Sequence, residues 1–186
     1  MKKIKENLFT DRNVEFEVNV ACGVIMKSER GVNSVLLIQR ANDDYWPNYW
    51  ELPRGKCDKP PGEDLRHCLV REIKEETGLD VIPVKLIDTF IYYGMGGKRK
   101  TTSYNFLCKL KDENQTIKLS KEHQAAKWVT EIGVAELLLN PDQKKTLAKV
   151  LNPEREIISY PSNNFTNNNK VEEYLKIING VLYPNG

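Results

Sequence analysis

The stretch Gly55-Lys-Cys-Asp-Lys-Pro-Pro-Gly-Glu-Asp-Leu-Arg-His-Cys-Leu-Val-Arg-Glu-Ile-Lys-Glu-Glu-Thr-Gly-Leu79 changes character at Glu63. From there Leu65, Leu69 and Ile73 recur at i, i+4 and i+8 with charged residues between them, the period of an amphipathic helix. Gly78 is its natural stop, because glycine accepts the left-handed conformation that follows a helix C-terminus. Projected at ~100° per residue, Glu72 and Glu76 fall beside the Leu65, Cys68 and Leu69 stripe, with Glu75 on its flank. Two readings follow. Either the stripe ends before Glu72 and the three glutamates are solvated, or they hold a cation. Acids at a helix C-terminus oppose its macrodipole, which favours cations there. Glutamates at i, i+3 and i+4 present oxygens on one side of the helix, donors suited to hard Mg²⁺ or Mn²⁺.

Working outward, Glu15 to Met26 alternates and then becomes continuously apolar, a strand running from a sheet edge into a core. Val35-Leu-Leu-Ile-Gln is a second strand, joined to the first by a polar hairpin connection over Lys27 to Asn33. Trp50-Glu-Leu is a third short run that stops at Pro53, which has no ladder donor. Beyond the helix, Val84 to Tyr93 and Thr102 to Leu110 read as strands separated by the turn-rich Gly94-Met-Gly-Gly-Lys-Arg-Lys. Lys127-Trp-Val is a further short strand, and Ile132 to Leu139 and Gln143 to Leu151 read as helices broken by Asn140-Pro141. The alternation predicts an α/β fold with a mixed central sheet flanked by helices. One domain over residues 1–151 is expected, followed by an appendage over 152–186 with an Asn-rich linker and a short helix from Lys170 to Ile178.

The helix segment resembles the Nudix box, Gly-x5-Glu-x7-Arg-Glu-U-x-Glu-Glu-x-Gly-U, where U is a bulky apolar residue. Glu63 followed by Arg71-Glu72-Ile73-Lys74-Glu75-Glu76-Thr77-Gly78-Leu79 matches at every specified position after the first glycine. The departure is upstream: seven residues separate Gly55 from Glu63 instead of five, a lengthened loop around Lys59-Pro60-Pro61 that leaves the glutamate register intact. Leu37 to Arg40, Trp50 to Pro53 and Ser120 to Trp128 are similar to accessory segments of the family in the expected order, so the resemblance runs from about Val18 to Leu151.

The resemblance implies an α/β/α sandwich and Mg²⁺- or Mn²⁺-dependent hydrolysis of a nucleoside diphosphate linked to another group. It implies Glu75 and Glu76 as principal metal ligands, and Glu72 as a third ligand or the base that deprotonates water. The backbone carbonyl of Arg54 and the Glu122 carboxylate are further metal oxygens in this reading. Arg71 and Glu63, with Gly55 and Gly78 at the ends of the box, would orient the carboxylates, the guanidinium by bidentate hydrogen bonding. Arg40, Lys56, Lys98 and Lys100 are candidate phosphate contacts. Tyr93 and Tyr104 are candidate base-stacking residues, although aromatic residues in strands more often pack in cores. The order of a basic residue, a downstream aromatic and then Glu122-His-Gln-Ala is similar to the diadenosine polyphosphate hydrolase branch. Dinucleoside polyphosphates are therefore the expected substrate, with oxidised nucleoside triphosphates or RNA caps as alternatives and a non-hydrolysing nucleotide-binding module as the reading from another class.

Composition narrows the classes. The 28 Lys+Arg against 26 Asp+Glu give a charge of only +2 over 186 residues, without the basic excess of a non-specific nucleic-acid binder. Apolar runs fall short of the ~20 residues that span a bilayer. The basic N-terminus is not followed by an apolar h-region, so an intracellular, cytoplasmic chain is expected. Cys22, Cys57, Cys68 and Cys108 form no Cys-x-x-Cys pair and are expected to be reduced.

Overall fold

The computed structural model describes residues 14–42 and 46–152. The expected appendage, beyond Asn152, lies outside the described residues. Seven strands and three helices follow one another as β1 (Phe16–Glu29), β2 (Val32–Arg40), β3 (Trp50–Glu51), β4 (Arg54–Lys56), α1 (Leu65–Thr77), β5 (Val81–Gly94), β6 (Arg99–Leu110), β7 (His123–Val129), α2 (Glu131–Glu136) and α3 (Pro141–Leu151). The sheet runs β3-β2-β1-β6-β5, with β4 also on β1 and β7 also on β2. It is mixed: β1 and β6 are parallel and the other pairs antiparallel.

Strand β1 organises the molecule. Its first residues are largely exposed, whereas Val20 to Met26 is continuously buried, because both faces are covered there. One face carries Ala21 and Ile25 against Cys68, Leu69 and Ile73 of α1. The other carries Cys22, Val24 and Met26 in one cluster with Val134 of α2 and Leu147 and Val150 of α3. The predicted sandwich is thus present, and burial of these aliphatic side chains, each worth about 1.5–3 kcal/mol, holds both helix layers to the sheet.

Helix α1 begins one cap later than the periodicity suggests. Asp64 is its N-cap and accepts from the backbone N–H groups of Arg66 and His67 at 2.9 and 3.2 Å, a capping pattern favoured by short acidic side chains. Gly78 closes it at φ 72°, donating its N–H to the Lys74 carbonyl at 2.9 Å, as predicted. One strand was not expected, and two expectations need correction. Arg54–Lys56 forms strand β4, which carries too few residues for any periodicity to show. The strand predicted at Lys127 starts at His123. The helix predicted over Ile132 to Leu139 ends at Glu136, and Leu139 instead bridges Trp50.

A third correction concerns the cysteines. Cys57 and Cys68 form a disulfide, while Cys22 and Cys108 are free and buried. The pairing is spatial: β4 returns the chain across α1, so two cysteines flanking the lengthened loop meet, with Cα atoms 5.3 Å apart.

Candidate active site

The register of β4 on β1 determines which groups meet. Gly55 pairs with Ala21 and faces α1, whereas Arg54 pairs with Cys22 and faces the other side of the sheet. A Cβ built at Gly55 would overlap Cγ, Cδ and Oε2 of Glu72, so only glycine admits the Glu72 carboxyl against the strand. One turn further along α1, Glu76 Oε2 accepts the backbone N–H of Arg54 at 2.8 Å. The two glutamates nearest the apolar stripe are therefore pressed against β4. Glu76 is buried and the Glu72 side chain is 14% exposed, whereas that of Glu75 is 58% exposed. Of the carboxylates that projection placed near the stripe, Glu76 is buried and Glu72 half-buried.

Arg71 orients this cluster. Its Nε and Nη2 donate to Glu63 Oε1 and Oε2 at 3.0 and 2.7 Å, the two-pronged pairing expected of a guanidinium and a carboxylate. Nη1 donates to Glu72 Oε1 at 2.7 Å and reaches Glu75 at 3.4 Å, and Nη2 also meets the Lys56 carbonyl at 3.2 Å. The hydrogen bonds from Arg71 hold the Glu63 carboxyl below its usual range. Burial pushes Glu72 up despite Arg71. Burial pushes Glu76 well up, with Glu51 and Glu72 adding to the effect and the Arg54 N–H opposing it. Burial thus raises the proton affinity of two neighbouring carboxylates on one helix face.

Beside Glu76 lies a group that sequence reasoning missed. Glu51, whose side chain is only 5% exposed, pairs through Oε1 with Arg40 Nη1 at 2.6 Å and through Oε2 with Arg54 Nη2 at 2.8 Å and Nε at 2.9 Å. Burial alone would raise its pKa, but His123, Arg54 and Arg40 together pull it down to about 2. His123 Nε2 lies 3.5 Å from Glu51 Oε1 and 3.9 Å from Glu76 Oε1, and its Nδ1 meets Ser120 Oγ at 3.2 Å. The segment before β7 is drawn in because Lys118 and Ser120 donate to the carbonyls of Thr77 and Glu76 at the end of α1. His123, the first residue of β7, is buried, and Glu122, in the turn before it, is exposed. A longer β7, read from the Gln-Ala-Ala-Lys-Trp run, was the available signal.

The other predicted residues are spread more widely. Arg40 is held by Glu51, and Lys56 is exposed. Lys98 pairs with Glu15 at 2.8 Å and Lys100 with Glu17 at 3.4 Å, at the far end of β6. Tyr104 packs in the cluster on the α1 face. The β5–β6 register pairs Tyr92 with Thr101 and Tyr93 with Lys100, so the two tyrosines face opposite sides of the sheet. Tyr92 is the one close enough to Arg54 to act on its charge, and its ring lies 6.0 Å from that of Phe90. Among the described residues no three His, Cys, Asp or Glu side chains already converge into a cage for an ion. No helix among them is long and apolar enough to cross a membrane.

Comparison with known proteins bears on the same segments. The asymmetrical bis(5′-nucleosyl)-tetraphosphatase of Mus musculus is 32% identical over 137 residues, covering 68% of this chain and 89% of that protein. The 8-oxo-dGTP diphosphatase of Proteus vulgaris is 30% identical over 97 residues, covering 52% and 81%. Among solved structures, the binary complex of a C. elegans Ap4A hydrolase superposes with a TM-score of 0.62 at 26% identity, over 77% of this chain and 99% of that one. The NUDIX domain model matches residues 17–150. That match runs from the first strand to the last helix and takes in both the α1 glutamates and β4, and by it the chain belongs to the NUDIX family and is a Nudix hydrolase.

Proposed function

We propose that the chain hydrolyses a pyrophosphate bond within a nucleotide in which a nucleoside diphosphate is linked to a second group, with dinucleoside polyphosphates as the substrate class. The observation that carries this reading is the pair of carboxylates held against β4 beside a cationic group, half-buried Glu72 and buried Glu76, whose proton affinity burial raises. The similarity to proteins named bis(5′-nucleosyl)-tetraphosphatases supports the substrate class.

The donors suit Mg²⁺ or Mn²⁺ in kind: hard carboxylate oxygens on Glu72, Glu75 and Glu76, the Arg54 carbonyl, and Glu122 from the surface. Glu75, being exposed, has room to swing towards Glu76. A divalent cation there supplies neutralisation of the pyrophosphate and polarisation of the phosphorus centre. Glu72 takes the proton of the attacking water, since burial raises its proton affinity while Arg71 keeps one of its oxygens fixed. Glu63 fixes Arg71 in turn. Tyr92 and Phe90 offer aromatic surface for a base on the face to which Arg54 projects.

The test is a substrate panel with Mg²⁺: dinucleoside tetraphosphates, nucleoside triphosphates and their 8-oxo forms, ADP-ribose and capped RNA, with product identification. Cleavage of a dinucleoside tetraphosphate into unequal parts, faster than any other member, is expected. Preference for an 8-oxo triphosphate would move the substrate class, and absence of product from every member would overturn hydrolysis.

A further inference from the structure

His123 Nε2 is a buried polar atom without a hydrogen-bond partner among the described residues, on a side chain that is 1% exposed. A buried polar group left unpaired is costly, and its place calls for an explanation. It lies 3.5 Å from Glu51 Oε1 and 3.9 Å from Glu76 Oε1, beyond a well-formed hydrogen bond to either. Ionised carboxylates only accept, so the ring nitrogen that faces them is one that carries hydrogen. The two acids differ in what they have to spare. Glu51 is engaged at both oxygens, Oε1 by Arg40 at 2.6 Å and Oε2 by Arg54 at 2.8 Å. Glu76 is engaged at Oε2 by the Arg54 N–H, and its Oε1 accepts no hydrogen bond among the described residues. The turn that carries His123 is also tied to Glu76 through the main chain. The Ser120 N–H donates to the Glu76 carbonyl at 3.0 Å, the His123 N–H returns to the Ser120 carbonyl at 3.3 Å, and Ser120 Oγ meets His123 Nδ1 at 3.2 Å. Ser120 thus fixes the ring from one nitrogen and leaves the other facing the side chain of the residue whose carbonyl holds Ser120.

We infer that His123 is a positioning residue for Glu76: Ser120 orients its ring so that the Nε2–H faces Glu76 Oε1 and fixes the carboxylate in the rotamer that offers its remaining lone pairs to a divalent cation. The inference rests on the metal-dependent reading above. A shift of about 1 Å brings Nε2 within hydrogen-bond range of Oε1. Glu76 is then held at one oxygen by the Arg54 N–H and at the other by His123, the kind of support that keeps a metal-binding carboxylate in place.

The experiment compares wild type with His123→Ala, His123→Gln and Ser120→Ala. Mn²⁺ binding is measured without nucleotide, from the electron paramagnetic resonance signal of the free ion, and kinetics with a dinucleoside tetraphosphate in Mg²⁺. His123→Ala should raise the Mn²⁺ Kd about 10- to 100-fold, the range for loss of a group that orients a metal ligand. The Mg²⁺ concentration for half-maximal rate should rise in parallel, while KM for the nucleotide at saturating Mg²⁺ stays within about twofold. His123→Gln keeps a side-chain N–H donor and should recover part of the loss, and Ser120→Ala should give a smaller rise than His123→Ala. In a Glu76→Gln background His123→Ala should add little further loss of Mn²⁺ affinity, because the group it positions has gone. The chain has two histidines, and His67 is exposed. Nitrogen-15 NMR of the metal-free protein, with His67→Gln to separate the two, should therefore show hydrogen on His123 Nε2. An unchanged Mn²⁺ Kd in folded His123→Ala, even with turnover or stability reduced, overturns the inference, since a merely structural histidine would behave so. An Nε2 without hydrogen overturns it equally. Should His123→Ala fail to fold, Ser120→Ala decides, a raised Mn²⁺ Kd supporting the inference and a wild-type value refuting it. A wild type that binds Mn²⁺ but turns over no nucleotide refutes hydrolysis, while the Mn²⁺ arm still decides His123; one that binds no Mn²⁺ refutes both.

Discussion

Glu76 Oε2 accepts the Arg54 backbone N–H at 2.8 Å, which bonds the last turn of α1 to strand β4 through a carboxylate with little access to water. An ionised group there is expensive unless a cation compensates it. Glu76→Gln keeps an oxygen for the Arg54 N–H but removes the charge. Turnover should fall by at least about 100-fold, the scale on which acid–base and electrostatic groups contribute. Mg²⁺ at about 100 times its Kd should stabilise wild type by ~2.7 kcal/mol and the variant by much less. Wild-type turnover in the variant would remove Glu76 from the mechanism.

Glu76 and Glu51 also set opposite pH slopes. Glu76 is raised above 4.5 in the folded protein by burial, so its favourable contribution is complete below about pH 4.5 and is lost as pH rises through the folded value. Glu51 is lowered from 4.5 to about 2, so its contribution is present above pH 4.5 and lost between there and about 2. Metal-free protein should therefore lose stability on both sides of mildly acid pH. Thermal melts in chelator should show Glu76→Gln flattening the limb at higher pH. Glu51→Gln should destabilise by about 3–5 kcal/mol, because it removes the buried charge that the part-buried Arg40 and Arg54 share. A melting curve independent of pH from 2 to 8 would refute both assignments.

Gly55→Ala tests the packing of β4 against α1. The added methyl overlaps the Glu72 carboxyl, and Arg71 already fixes one of that group's oxygens. Overpacking of this kind costs about 1–3 kcal/mol, and displacement of a reacting group by ~1 Å can cost ~100-fold in rate. A large fall in kcat with an intact circular dichroism spectrum is expected. Full activity would mean that the Glu72 position is not constrained by Gly55.

How far the sequence discloses this site depends on whether the signal is local. The period of Leu65, Leu69 and Ile73, the stop at Gly78 and the position of Glu72 and Glu76 beside the apolar stripe all belong to one helix, and the residue pattern alone makes them legible. Which tyrosine faces Arg54 depends on the β5–β6 register, and a shift of one residue exchanges Tyr92 for Tyr93. His123 was hidden for the same reason: its burial comes from strand β7 starting four residues earlier than the short apolar run suggests. Glu51 sits on a strand of two residues whose neighbours come from β2, β4 and β7, and no pattern within that strand reveals them.

The Cys57–Cys68 disulfide makes the last prediction. It closes a loop with a sequence separation of 11 that contains Glu63 and the residues by which this chain exceeds the usual box spacing. On the loop-entropy account such a link contributes about 2–4 kcal/mol by restricting the unfolded chain, or roughly 5–15 °C in Tm for a chain of this size. Untreated, denatured protein should present two reactive thiols, from Cys22 and Cys108, and reduction should raise the number to four. Dithiothreitol and Cys57→Ser should each lower Tm by that amount, and the reductant should do nothing further to the variant. Activity should fall with Tm only in part, since Arg71 retains Glu63 through two hydrogen bonds even when the loop is untied. Four reactive thiols in untreated protein would show that the staple does not form, and the lengthened loop would then be held by hydrogen bonds, among them those of Arg71 to Glu63, of the Asp64 cap and of the Glu63 N–H to the Pro60 carbonyl.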